Sequence, residues 1–135
     1  MYIRDLVPSY IYPQEDPALG ISGGISPARV ETVLDENPEI QAVLITSPTY
    51  DGVVSDVKRI ANAAHSHGIP LIVDEAHGAH FKFSNYFPTS AAELGADLVI
   101  QSLHKTLPSL TQTAVLHRCS DMVNRNLLRR FMGIY

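Results

Sequence analysis

Apolar residues in this chain fall into four short runs, "AVLIT" (Ala42–Thr46), "PLIVD" (Pro70–Asp74), "DLVIQ" (Asp97–Gln101) and "TQTAVLH" (Thr111–His117), the first three set apart by segments that contain a helical period and the last by a Pro-containing turn after Lys105. Runs this short, bounded by turn residues, read as strands, and the unbroken apolarity of "AVLIT" predicts burial on both faces. Between them, Ser26 as cap, Pro27 in the first position and Ile25 stapled on Val30 predict a helix from Pro27 to about Glu36, stopped by Asn37-Pro38. A second helix is predicted from a Ser55 cap, with Val53, Val57, Ile60, Ala61 and Ala64 recurring at helical spacing and Gly68 at its end. A short helix around Ser90 to Leu94 should end at Gly95, and Ser120 should cap a last helix carrying Val123, Leu127, Leu128 and Phe131. "SYIYPQ" (Ser9–Gln14) reads as one more short strand.

Strand and helix alternating with right-handed crossovers give an α/β fold, a mostly parallel sheet with helices on both faces. Ligands of such sheets lie beyond the carboxyl ends of the strands, so the residues directly after each run carry the chemistry. Three clusters qualify: "TSPTYDG" (Thr46–Gly52), "DEAHGAH" (Asp74–His80) and "QSLHKT" (Gln101–Thr106). If their strands are neighbours, the three share one rim.

Charge narrows the choice. The formal charge is -4 with no basic run, so the footprint of nucleic-acid binding is absent. No apolar run approaches the roughly 20 residues that span a bilayer. A single cysteine, Cys119, excludes an internal disulfide, and "MYIRDLVPSY" lacks the apolar core of a signal peptide. A cytoplasmic protein with no nucleic-acid or membrane partner is the expectation.

Asp-Glu-Ala-His after a strand is how a helicase places its magnesium carboxylate, but no G-x-x-x-x-G-K-[ST] phosphate loop accompanies it here. Zinc is the next candidate, because His65, His67, His77 and His80 cluster in sequence. His77 and His80, however, are three apart across a glycine, and His65 and His67 close a helix, where imidazoles serve the last carbonyls. No metal is expected. Taken alone, Lys105 is a surface lysine and Asp74 a cap. Together, at neighbouring strand tips with Ser102 and His104 beside the lysine, they are one site, able to hold an aldehyde cofactor as an imine and to keep its ring nitrogen protonated. That would be pyridoxal phosphate.

"VLITSPTYDGVVSDV", "PLIVDEAHGAHF" and "LVIQSLHKTLPSLTQTAVLH" resemble, in order and spacing, the central part of the ornithine/lysine/arginine decarboxylase family, pyridoxal-phosphate enzymes of the aspartate-aminotransferase fold. The resemblance implies that Lys105 forms the imine and that Asp74 faces the pyridine nitrogen. It places Ser102 and His104 on the cofactor phosphate and His77 near the hydroxyl and imine, with Lys105 or His77 returning a proton to the decarboxylated carbon. Thr49, Tyr50 and Asp51 would line the rim. Glu75 would make a structural hydrogen bond or meet a neighbouring subunit, and Ala76 would fill space. The implied substrate is arginine, lysine or ornithine, and the implied full-length enzyme is a homo-oligomer. Residues 1–135 would then be a partial cofactor-binding major domain, incomplete at both ends, because the family's upstream phosphate cradle and downstream small domain have no counterpart in it. Two other readings stand beside this one: a non-catalytic fragment or module, and another enzyme of the same fold, an aminotransferase or lyase.

Overall fold

The computed structural model of the chain describes residues 6–133. Met1 to Asp5, which open the stretch read for a signal peptide, lie outside the described residues, as do the last two residues of "RRFMGIY". Two minimal strands, β1 (Glu15–Asp16) and β2 (Ile21–Ser22), pair antiparallel ahead of α1 (Pro27–Glu36). Then come β3 (Val43–Thr46), α2 (Val57–Ser66), β4 (Leu71–Asp74), a single 3-10 turn (Phe81–Phe83), β5 (Leu98–Ser102), α3 (Leu103–Thr106), β6 (Ala114–Arg118) and α4 (Arg125–Met132). The main sheet has the order β3-β4-β5-β6. Its first three strands are parallel, and β6 returns antiparallel on β5. The class is α/β with a mostly parallel sheet, and the three predicted tips do belong to adjacent strands.

Register explains the core. Val43, Ile45, Leu71, Val73 and Val99 point to one face of the sheet and meet Val30 and Leu34 of α1 and Val57, Ile60, Ala61 and Ala64 of α2. Ile60, Leu71, Val30, Val73 and Val99 are fully buried, each worth about 1.5–3 kcal/mol. Contrary to expectation, β3 is not buried on both sides: Val43 and Ile45 are in, whereas Leu44 and Thr46 are exposed. β3 is the edge of the sheet, and among the described residues nothing covers the Leu44 side.

Several boundaries differ from the pattern, two of them because a serine found a more distant partner. Ser26 caps α1 as expected. The cap of α2 is Asp56, whose Oδ1 accepts from Arg59 N–H at 3.1 Å. Ser55 is instead buried, its Oγ accepting Ile25 N–H and its N–H donating to Ser47 Oγ, both at 3.0 Å. Ser90 to Leu94 makes only turns, with Glu75 accepting the Ala91 N–H and the Ser90 hydroxyl at its start. The last helix is capped by Asn124, not Ser120. "SYIYPQ" is not a strand: Tyr10 and Tyr12 are exposed, and no neighbouring strand pairs with it among the described residues.

Ser120 and His65 are both drawn to Asp97, at the end of the sheet opposite the three tips. The Asp97 carboxylate accepts from the Ser120 hydroxyl, from His65 Nε2–H at 2.9 Å and from Leu71 N–H at 2.8 Å. Burial alone would push this carboxyl up, but the hydrogen bonds from Ser120, His65 and Leu71 outweigh it and hold it below its ordinary value. One side chain thus ties α2, β4, β5 and the end of β6 together. His67 does serve a helix-end carbonyl, with Nδ1 3.0 Å from Ala63 O, and its Nε2 pairs with Asp35 of α1. That carbonyl bond and Asp35 raise its pKa above the ordinary histidine value.

Candidate active site at the strand tips

β3 runs out through Ser47-Pro48, a cis peptide, into the turn Thr49–Gly52. Gly52 N–H donates to Thr49 O at 3.0 Å, Val53 N–H to Thr49 Oγ1 at 3.1 Å and Thr49 N–H to Val53 O at 2.9 Å. Gly52 sits at φ 86°, where a side chain would be strained. The turn therefore holds Tyr50 at a defined tip, 85% exposed.

β4 ends at Asp74, whose Oδ1 accepts Ala76 N–H at 3.0 Å and whose Oδ2 has no protein partner among the described residues. The next turn closes with Gly78 N–H to Glu75 O at 2.9 Å. Gly78 is required by packing: a Cβ there would stand 2.7 Å from Glu75 Cγ, 2.9 Å from Pro48 Cδ and 3.0 Å from Phe81 Cε2. Its missing side chain lets the β4 turn lie directly against the β3 turn.

β5 passes at Ser102 into α3, which the sequence pattern did not predict. Leu103 N–H and His104 Nδ1–H both donate to Thr113 O, at 2.9 and 3.1 Å, pinning α3 to the entry of β6. Lys105, on that helix, reaches the β4 turn: its Nζ donates to His77 Nε2 at 3.1 Å. The His77 ring meets Tyr50 edge to face, with centroids 5.5 Å apart and planes at 75°.

Lys105 and His77 are thus in direct contact, and Asp74 lies half-buried on the same rim, on the strand next to the one that feeds α3. Ser102 is half-buried, with a hydroxyl that has no hydrogen-bond partner among the described residues. His104 is exposed and committed at Nδ1 to Thr113, not to the lysine. Thr49 serves its own turn, and Asp51 is exposed. His80 packs edge-on against Phe81 and Phe87, at 5.0 and 4.6 Å between centroids. Among the described residues no group of three His, Cys, Asp or Glu side chains is placed to hold a metal ion. No helix among them is long and apolar enough to cross a membrane.

Beneath the rim lies a network that sequence reasoning reached only in part. Glu75 is 1% exposed and accepts from Ala91 N–H at 2.7 Å, Ser90 Oγ–H at 2.8 Å and Gln101 Nε2–H at 2.5 Å. Gln101 Oε1 in turn accepts from His117 Nε2–H at 3.0 Å. The structural hydrogen bond expected of Glu75 is therefore three bonds to neutral donors, tying the β4 turn to the tip of β5. The signal for it was Gln101, a lone amide in the buried run "DLVIQ".

The model of the Orn/Lys/Arg decarboxylase major domain matches residues 1–134. The chain belongs to the Orn/Lys/Arg decarboxylase family. Among curated relatives of this decarboxylase-family chain, the arginine decarboxylase of Halalkalibacterium halodurans is 44% identical over 127 residues, 94% of this chain and 26% of that protein. The arginine decarboxylase of Bacillus subtilis is 39% identical over 128 residues, 95% of this chain and 26% of that protein. The chain therefore spans about a quarter of the length of these relatives. Among solved structures, mouse CSAD in its apo form superposes with a TM-score of 0.64 and 25% identity, covering 78% of this chain and 23% of that one.

Proposed function

We propose that this chain supplies the lysine-bearing part of a pyridoxal-phosphate-dependent decarboxylase acting on a basic amino acid, with arginine first among arginine, lysine and ornithine because the relatives above are arginine decarboxylases. The observation that carries the reading is the 3.1 Å bond from Lys105 Nζ to His77 Nε2 on the rim shared with Asp74. When bound, the cofactor supplies an electron sink for the carbanion left as carbon dioxide departs.

The donor set suits such a group. Lys105 offers the amine that fixes its aldehyde carbon, and that amine must be neutral to attack. Asp74 Oδ2, free of protein partners among the described residues, would accept the ring N–H of such a cofactor and keep that nitrogen protonated. The uncommitted Ser102 hydroxyl, and Nε2–H of His104 when its ring carries a proton on both nitrogens, would donate to phosphate oxygens. Lys105 and His77 exchange a proton between Nζ and Nε2 and return one to the carbon that lost its carboxylate.

The purified chain should bind the cofactor weakly and release no carbon dioxide, since it spans a quarter of its relatives; robust release from arginine, lysine or ornithine would overturn that. In a polypeptide of the relatives' full length carrying this segment, Lys105→Ala should abolish carbon dioxide release. Asp74→Asn should retain the cofactor while turnover falls about a hundredfold or more. Unchanged turnover in either variant would refute the assignment.

A further inference from the structure

Tyr50 carries a large aromatic ring into solvent at the end of a turn fastened by three hydrogen bonds, and that ring meets the imidazole of His77. A ring placed for packing would be buried; this one is 85% exposed. The two turns that carry Tyr50 and His77 are held at a fixed spacing by Pro48 against Gly78. An edge-to-face contact between them restricts rotation of the imidazole about its Cβ–Cγ bond. Nε2 is the nitrogen that receives Lys105, and a flipped imidazole would present carbon or Nδ1 instead.

We infer that Tyr50 is a positioning residue: its ring holds the His77 imidazole with Nε2 toward Lys105, so that His77 takes the proton that the Lys105 ammonium must lose before its nitrogen can attack a carbonyl carbon. The step balances. The N–H bond at Nζ breaks as the N–H bond at Nε2 forms, the electron pair stays on Nζ, and the imidazolium discharges its proton to water through Nδ1. The lone pair on Nζ then forms the bond to the carbonyl carbon as the C=O π pair moves onto its oxygen; with an aldehyde that oxygen takes up protons and leaves as water when the imine forms, and with acetic anhydride the C=O re-forms as acetate leaves. The inference rests on the cofactor reading above only for the identity of the carbonyl compound. The hydroxyl of Tyr50 has no hydrogen-bond partner among the described residues, so the effect belongs to the ring.

The purified 135-residue chain is enough for the test. Lys105 is labelled in parallel with pyridoxal phosphate followed by borohydride and, independently of any cofactor site, with acetic anhydride, and the rate at Lys105 is read by peptide mass analysis relative to Lys58 and Lys82. Tyr50→Phe keeps the ring and should match the unsubstituted chain. Tyr50→Leu should slow both labels at Lys105 by about two- to tenfold, the span of one aromatic edge contact. His77→Gln should slow them by about tenfold or more. In nuclear magnetic resonance spectra, the ring-current shift on the His77 ring protons should persist in Tyr50→Phe and vanish in Tyr50→Leu. Equal labelling of Tyr50→Leu and Tyr50→Phe overturns the inference. Acetylation that follows this order while pyridoxal phosphate shows no preference for Lys105 overturns the cofactor reading and leaves the Tyr50 inference standing.

Discussion

Glu75 gives the most demanding prediction, because a fully buried carboxylate here is balanced by neutral donors rather than by a cation. Glu75→Ala strands the Ala91 N–H, the Ser90 hydroxyl and the Gln101 amide. Each buried donor left unpaired costs about 1–3 kcal/mol, and a water entering the vacated space recovers part of it. The net loss should be about 3–5 kcal/mol, a large fraction of the roughly 5–15 kcal/mol that holds a domain together. Glu75→Gln is subtler. Its amide oxygen still accepts Ala91 N–H, and Ser90 can rotate to accept from its NH2, but that NH2 also faces the NH2 of Gln101. Gln101 cannot simply flip, since its Oε1 is engaged by His117. The loss should be about 1–2 kcal/mol. Adding Gln101→Glu exchanges the two groups: the carboxylate now at position 101 accepts both from His117 and from the amide now at position 75, and at least half of the loss should return. Guanidinium unfolding followed by circular dichroism measures all three. A Glu75→Ala chain within about 1 kcal/mol of the parent, or a double variant no better than the Glu75→Gln single, would refute the account of this network.

Gly78→Ala should lose about 1–3 kcal/mol in the same assay, because its Cβ would fall within 3.0 Å of Glu75, Pro48 and Phe81. Asp97 sets acid lability. Its folded pKa lies below the ordinary carboxylate value of about 3.9, so its contribution is complete above that value and is lost as pH falls through the lower folded pKa. Stability of the parent should therefore drop more steeply below about pH 4 than that of Asp97→Asn, as read by denaturant midpoints at a series of pH values. The His67–Asp35 pair works the other way. Its contribution is full below about pH 6.5 and fades as pH rises through the elevated histidine pKa, a slope that Asp35→Asn should flatten.

The parallel sheet was legible because its strands are unbroken apolar runs of the right length, and α1 because Ser26-Pro27 has no competing partner. Ser55 and Ser120 misled for one reason: a serine that looks like a cap is indistinguishable in sequence from one drawn to a distant partner, here Ile25 N–H and the Asp97 carboxylate. At Ser90 to Leu94 the pattern of a short helix meets only turns, and nothing in the sequence signals that Glu75 accepts the Ser90 hydroxyl and the Ala91 N–H across 15 and 16 residues. Lys105, His77 and Asp74 emerged from their places after apolar runs, since register and strand order force such residues onto one edge. The contact of Tyr50 with His77 did not emerge, because it depends on how closely two turns approach, and that distance is set by Gly78 and Pro48 rather than by any periodicity.

Lys105 is the amine we propose to receive a carbonyl cofactor. The chain has three lysines, Lys58, Lys82 and Lys105, and Lys82 is occupied by Glu93 at 2.9 Å. Incubation with pyridoxal phosphate, reduction with borohydride and peptide mass mapping measure the claim directly. The cofactor's mass should accumulate on Lys105 well ahead of the other two; equal labelling of Lys58 and Lys105 would rule out that role for Lys105.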